Sequence, residues 1–150
     1  MTERSTEHDT FEIERVYEAS TTRVFEAWSD PVAKAAWFVP SNATTPLSLD
    51  FRAGGREYFK FPMPNGMTFG YDSRYQEIVP GERIAFAYTC DFDETRISAS
   101  LVTVEFRPAG ENTRLLYTEQ AVYFDGTDTP AQRLNGTNEM LDALGLAFVR

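Results

Sequence analysis

Apolar and charged residues alternate over residues 11–17 (F-E-I-E-R-V-Y, with one slip), which predicts a first strand. The spacing then turns helical. Val24, Phe25 and Trp28 fall on one side of a short helix that Ser20 or Thr21 caps. Asp30-Pro31 breaks that helix and caps a second one, with proline at its tolerated first position. Ala33, Ala36 and Trp37 form the second helix's apolar stripe, and Pro40 ends it. Strand patterns follow over residues 44–51, 56–63, 67–79, 83–90, 97–107 and 113–124. Gly54-Gly55, Asn65-Gly66, Pro80-Gly81 and Gly110 mark the turns between them.

Residues 130–150 change period again. Leu134, Met140, Leu141, Leu144 and Phe148 suit one helix, capped by Asp128 or Thr129 with Pro130 first. Asn135-Gly136 inside it costs about 1 kcal/mol relative to alanine and marks a break or a close approach. The class is therefore α+β: a curved antiparallel sheet, two short helices after its first strand, and one long C-terminal helix. That helix is the long element able to cover the apolar face of the sheet, and the two can enclose a cavity. Residues 1–10 read as a disordered lead-in and 11–150 as a single domain.

Composition adds limits. A chain of 150 residues can bury roughly two-thirds of its unfolded surface. Its 12 Phe and 7 Tyr are suited to a core or an apolar pocket. A net charge of −9 opposes binding to nucleic acid or anionic membranes. Cys90 is the single cysteine, which excludes an intrachain disulfide and suits a reducing cytoplasm. No apolar run is long enough to span a bilayer, and no signal-peptide core is present. His8, the single histidine, falls in the polar lead-in, so a histidine-based triad or metal site is not expected. No cofactor is expected either.

Four stretches together resemble a known family: A-S-T-T-R-V-F-E-A-W-S-D-P-V-A-K-A-A-W-F, L-D-F-R-A-G-G-R, Y-Q-E-I-V-P-G-E-R-I-A-F and T-R-L-L-Y. They are similar to activators of the ninety-kilodalton heat-shock protein's ATPase. That family belongs to the START/SRPBCC helix-grip superfamily, with lipid-binding domains, plant allergens and polyketide cyclases. The resemblance implies a helix-grip fold with a pocket between sheet and C-terminal helix. It also implies three functional classes: a binder of a small hydrophobic molecule, a cyclase- or dehydratase-like enzyme, and a regulator of a heat-shock ATPase. Relatives often carry Gly-Trp at the start of the last helix, where this chain has Gly136-Thr137.

Strand parity names the residues for such a pocket. Tyr75, Phe86 and Tyr88, Val102 and Val104, and Tyr117 are candidates for inward faces, with core packing as their alternative role. Trp37, Met140 and Leu144 are the helical candidates for ligand contact. Glu119 shares the parity of Leu115 and Tyr117. Facing inward, it is costly to bury unless protonated or paired, and with Tyr117 it is the acid–base candidate. A bulge returning it to solvent is the alternative, and Arg74 or Arg96 are its candidate partners. Asp50, Arg52, Gly54 and Gly55 read as a structural turn.

Overall fold

The first strand, β1 (Thr6–Tyr17), extends further toward the N-terminus than its apolar alternation does. Thr6 to Thr10 are polar, yet they pair in register with Phe124 to Gln120 of the last strand, so ladder hydrogen bonds order them without burial. Arg4 and Ser5 reach the Asp125 carboxylate just beyond. The expected disordered lead-in is thus corrected, apart from Met1 and Thr2, which lie outside the described residues. This computed structural model describes residues 3–43 and 45–149.

Two helices follow. In α1 (Thr21–Ser29) Ser20 caps the N-terminus through the Arg23 amide, and Val24, Ala27 and Trp28 are buried. Asp30 ends α1 and caps α2 (Pro31–Phe38) by accepting from the Ala33 amide. The buried side of α2 is Lys34 and Trp37, while Ala36 is exposed, so the expected Ala33–Ala36–Trp37 stripe is rotated. A charged residue occupies the inward position because a partner waits for it in the sheet.

The sheet has seven strands in the order β1-β7-β6-β5-β4-β3-β2, all antiparallel. They are β2 (Ser48–Leu49), β3 (Arg56–Pro62), β4 (Thr68–Val79), β5 (Arg83–Phe92), β6 (Thr95–Ala109) and β7 (Asn112–Phe124). β2 is far shorter than the predicted 44–51. Pro46 lacks an N–H for the ladder, and the chain turns away from Asp50 onward; Thr44 lies outside the described residues. Irregular pairing at Tyr75/Glu77 and at Cys90/Asp91 bends the sheet locally.

Gly54 and Gly55 serve different needs. Gly54 has φ +83°, whereas a Cβ on Gly55 would collide with the Asp50 carbonyl and lie 2.9 Å from that of Arg52. Both obstacles at Gly55 are backbone. Gly55→Ala is expected to cost about 3 kcal/mol, the upper end for overpacking, against roughly 1–2 for Gly54→Ala. Urea unfolding of the two variants measures this; an order reversed would show that the turn yields.

α3 (Pro130–Gly145) is capped by Thr129 and runs unbroken through Asn135-Gly136. It ends sooner than the predicted 130–150, giving way to a 3₁₀ turn at Leu146–Phe148; Arg150 lies outside the described residues. Leu141 and Leu144 are fully buried beneath it. Tyr17 donates to the Leu141 carbonyl at 2.8 Å and packs its ring, tilted, with centroids 5.5 Å apart, against Phe148, fixing the helix to β1. A curved antiparallel sheet around a C-terminal helix is the helix-grip arrangement. No helix among the described residues is long and apolar enough to cross a membrane.

Candidate functional site

Between the inner face of the sheet, the end of α2 and one side of α3 lies a cavity of about 530 Å³. Aromatic rings supply nine of its lining residues. α2 supplies Trp37 and Phe38, β3 supplies Phe59 and Phe61, and β4 supplies Phe69 and Tyr71. Phe86, Tyr88 and Cys90 of β5 and Tyr117 of β7 complete the sheet side. Arg133, Gly136, Met140 and Ala143 line it from α3, a spacing that puts them on one helix face. Each strand residue arrives by period-two alternation, and each helix residue by three- or four-residue steps.

Arg133 organises the polar end of this cavity. Nη1 donates to Glu119 Oε2 at 2.9 Å and to the Tyr88 hydroxyl at 2.7 Å. Nη2 donates to Ser98 at 2.7 Å and to Asp128 Oδ2 at 2.8 Å. Burial works against its charge, yet Tyr88, Cys90, Glu119 and Asp128 around it hold the guanidinium protonated more firmly than usual. Glu119 is wholly buried and accepts from Tyr88 (2.7 Å), Ser100 (2.8 Å) and Tyr117 (3.0 Å) as well. Burial, and then the Glu119 charge, push both tyrosine hydroxyls well above their ordinary value, so they stay protonated donors. Burial pushes the Cys90 thiol up to about 12, which keeps it an unreactive thiol at neutral pH.

Behind the ring wall sits a second charged pair. Lys34 Nζ lies 2.7 Å from Glu57 Oε2 and 2.9 Å from Oε1, with the hydrogen bond directed at Oε1. Both side chains are essentially inaccessible to solvent. Nζ also donates to Tyr75 at 3.3 Å and lies 4.4 Å from the centre of the Phe38 ring. Burial holds Lys34 below its ordinary value, and Glu57 opposes that shift. Tyr71, a wall residue, donates to Glu57 at 3.3 Å and so connects this pair to the cavity.

Of the residues singled out from sequence, Trp37, Phe86, Tyr88, Tyr117 and Met140 line the cavity. Tyr75, Val102, Val104 and Leu144 are core residues outside its wall. Val102 and Val104 are short and pair across to Phe86 and Tyr117, whose longer rings form the surface instead. Tyr75 is covered by Phe51, with ring centres 5.0 Å apart, and Leu144 is fully buried under α3. Glu119 does face inward, but its partner is neither Arg74 nor Arg96. Arg74 is exposed on β4, and Arg96 pairs with Asp91. Sequence reasoning missed Arg133, Lys34, Glu57 and Tyr71. The signal for Lys34 was a lone charge inside P-V-A-K-A-A-W-F. Among the described residues no cluster of His, Cys, Asp or Glu could hold a metal ion.

A family model described as "Activator of Hsp90 ATPase homolog 1-like protein" matches residues 13–148. No curated protein matches the chain. A protein from Rhizobium leguminosarum is 44% identical over 97% of both chains, with a TM-score of 0.91. One from Rhizobium loti is 42% identical over 95% of this chain and 98% of its own, with a TM-score of 0.89. DynU16, a protein of the dynemicin biosynthetic locus, shares the fold at 19% identity and a TM-score of 0.66. That match covers 92% of this chain and 46% of DynU16.

Proposed function

The chain belongs to the family of activator of Hsp90 ATPase homolog 1-like proteins, and from that premise we propose that it binds a small apolar or aromatic molecule between the sheet and α3. The fold is a ligand-binding one. The observation that carries the reading is a ring-walled space of about 530 Å³ with polar groups gathered at one end, in the size range of small-molecule sites. Aromatic walls favour a flat or unsaturated skeleton. The binding reading stands independently of the ATPase activation that the family's description names.

Native mass spectrometry of the purified protein, followed by thermal shifts against an apolar and aromatic library, tests this. A ligand at a hundred times its Kd should add about 2.7 kcal/mol of stability. Gly136 provides the control. A Cβ there meets nothing within 4 Å, and the residue lies on the cavity side of α3. Gly136→Leu is expected to raise stability by up to about 1 kcal/mol, from helix propensity, while abolishing the ligand-induced shift. Shifts that persist in this variant would place the ligand elsewhere.

One observation favours a second reading, acid–base chemistry of the cyclase or dehydratase kind. Tyr88 is in the wall and hydrogen-bonded to Glu119, which gives its proton a short route to a carboxylate. Under that reading the library molecules bound in the mass spectrometer would change mass, by loss of water for a dehydration.

A further inference from the structure

Resting on the binding reading above, we propose that the natural occupant of this cavity is an organic cation: a protonated amine on an apolar or aromatic skeleton. The cavity is poor in donors and rich in acceptors. Tyr88 and Tyr117 spend their hydroxyl protons on Glu119, and Tyr71 spends its own on Glu57. Trp37 Nε1 donates to the Ala27 carbonyl, and the Thr137 hydroxyl donates to the Arg133 carbonyl. Both terminal nitrogens of Arg133 are already shared among Tyr88, Ser98, Ser100, Glu119 and Asp128. Among the lining side chains described, the strong donors left over are the exposed Gln132 amide, which adds an acceptor with it, and the single Nε–H of Arg133.

The charges point the same way. Asp128 and Glu139 line the cavity, Glu119 stands just behind Tyr88 and Tyr117, and Arg133 alone opposes these three carboxylates. Lys34 does not tip this balance, because Glu57 cancels it behind the wall. An incoming carboxylate would lose its water to a site with few spare donors and an excess of negative charge. An ammonium meets the opposite conditions. It can lie against the rings of Trp37, Phe61 and Phe69 while keeping Asp128 and Glu139 as counter-charges. The overall charge of −9 steers cations toward it.

Three probes with one skeleton and different heads decide the matter: naphthylethylamine, naphthylethanol and naphthylacetate, titrated calorimetrically at pH 7. The amine should bind about tenfold or more tighter than the acetate, with the alcohol between them. Glu139→Gln, at an exposed position, should weaken the amine several-fold and weaken it more than it weakens the alcohol. An alcohol that binds while the acetate equals or exceeds the amine would overturn the cation proposal and leave the binding reading intact. If none of the three binds and the wider apolar library gives no thermal shift, both fall together.

Discussion

Replacing Arg133 by methionine is expected to destabilise the protein by about 3–5 kcal/mol, the cost of leaving one member of a buried ion pair alone. Glu119 is fully buried and would keep its three hydroxyl donors but lose its counter-ion. The loss is a large part of the 5–15 kcal/mol that holds most domains together. Glu119→Gln should cost less, because the guanidinium still has Asp128, Ser98 and Tyr88. The Arg133→Met, Glu119→Gln double variant should be more stable than the sum of the two losses implies, since no charge is then stranded. Urea unfolding at pH 7 gives all four corners of the cycle. A loss under about 1 kcal/mol for Arg133→Met, the size of an exposed pair, would mean that water screens this cluster.

The second large effect is expected at the pair behind the wall. Glu57→Gln should cost about 3–5 kcal/mol at neutral pH, and the deficit should shrink as the pH rises. Burial already holds Lys34 below its ordinary value, and Glu57 is what opposes that shift. Without Glu57 the folded protein sheds the Lys34 proton while the unfolded chain still holds it. The unfolded state then binds more protons, so stability climbs with pH until the unfolded lysine itself titrates, near 10.4. Tyrosine ionisation in the unfolded chain above pH 10 affects variant and parent alike and cancels in the difference. Melting temperatures of both proteins between pH 6 and pH 10 provide the check. A gap between them that stays constant or widens would show that Lys34 remains charged in the folded variant.

The contrast between Glu119 and Arg133 shows what the sequence made legible. Glu119 was found because strand parity is a local rule: two residues from Tyr117, it had to share a face with it. Arg133 obeys no such rule. It lies in the first turn of a helix whose flanking residues Gln132 and Leu134 are exposed, and its acceptors come from β5, β6 and β7, many residues earlier. Arg74 and Arg96 were reasonable partners because they lie on strands. Which arginine reaches Glu119 depends on how a helix crosses a sheet, and a periodicity carries no information about that. Lys34 was hidden for the reverse reason. A lysine among alanines reads as the wet side of a helix, and only a carboxylate fixed opposite it reverses that reading. The helices, the meander and the covering helix were legible because caps, turns and alternation act over a few residues. Short β2 and early β1 were not, since proline and a distant partner strand decided them.

The place of β1 beside β7 has a consequence for biosynthesis. The first strand leaves the ribosome with no neighbour to join, because α1, α2 and five other strands are made before its partner. Its outer edge stays unpaired in the final sheet as well, so the nascent strand offers two open edges for most of translation. The polar run from Thr6 to Thr10 and the Glu–Ile–Glu–Arg sequence after Phe11 make that long wait safe, since charged edges resist pairing with other chains. Closure of the sheet, and with it the cavity, is therefore a late event in the life of each molecule. It waits for β7 and then α3 to emerge, and an occupant has no assembled cavity to enter before then.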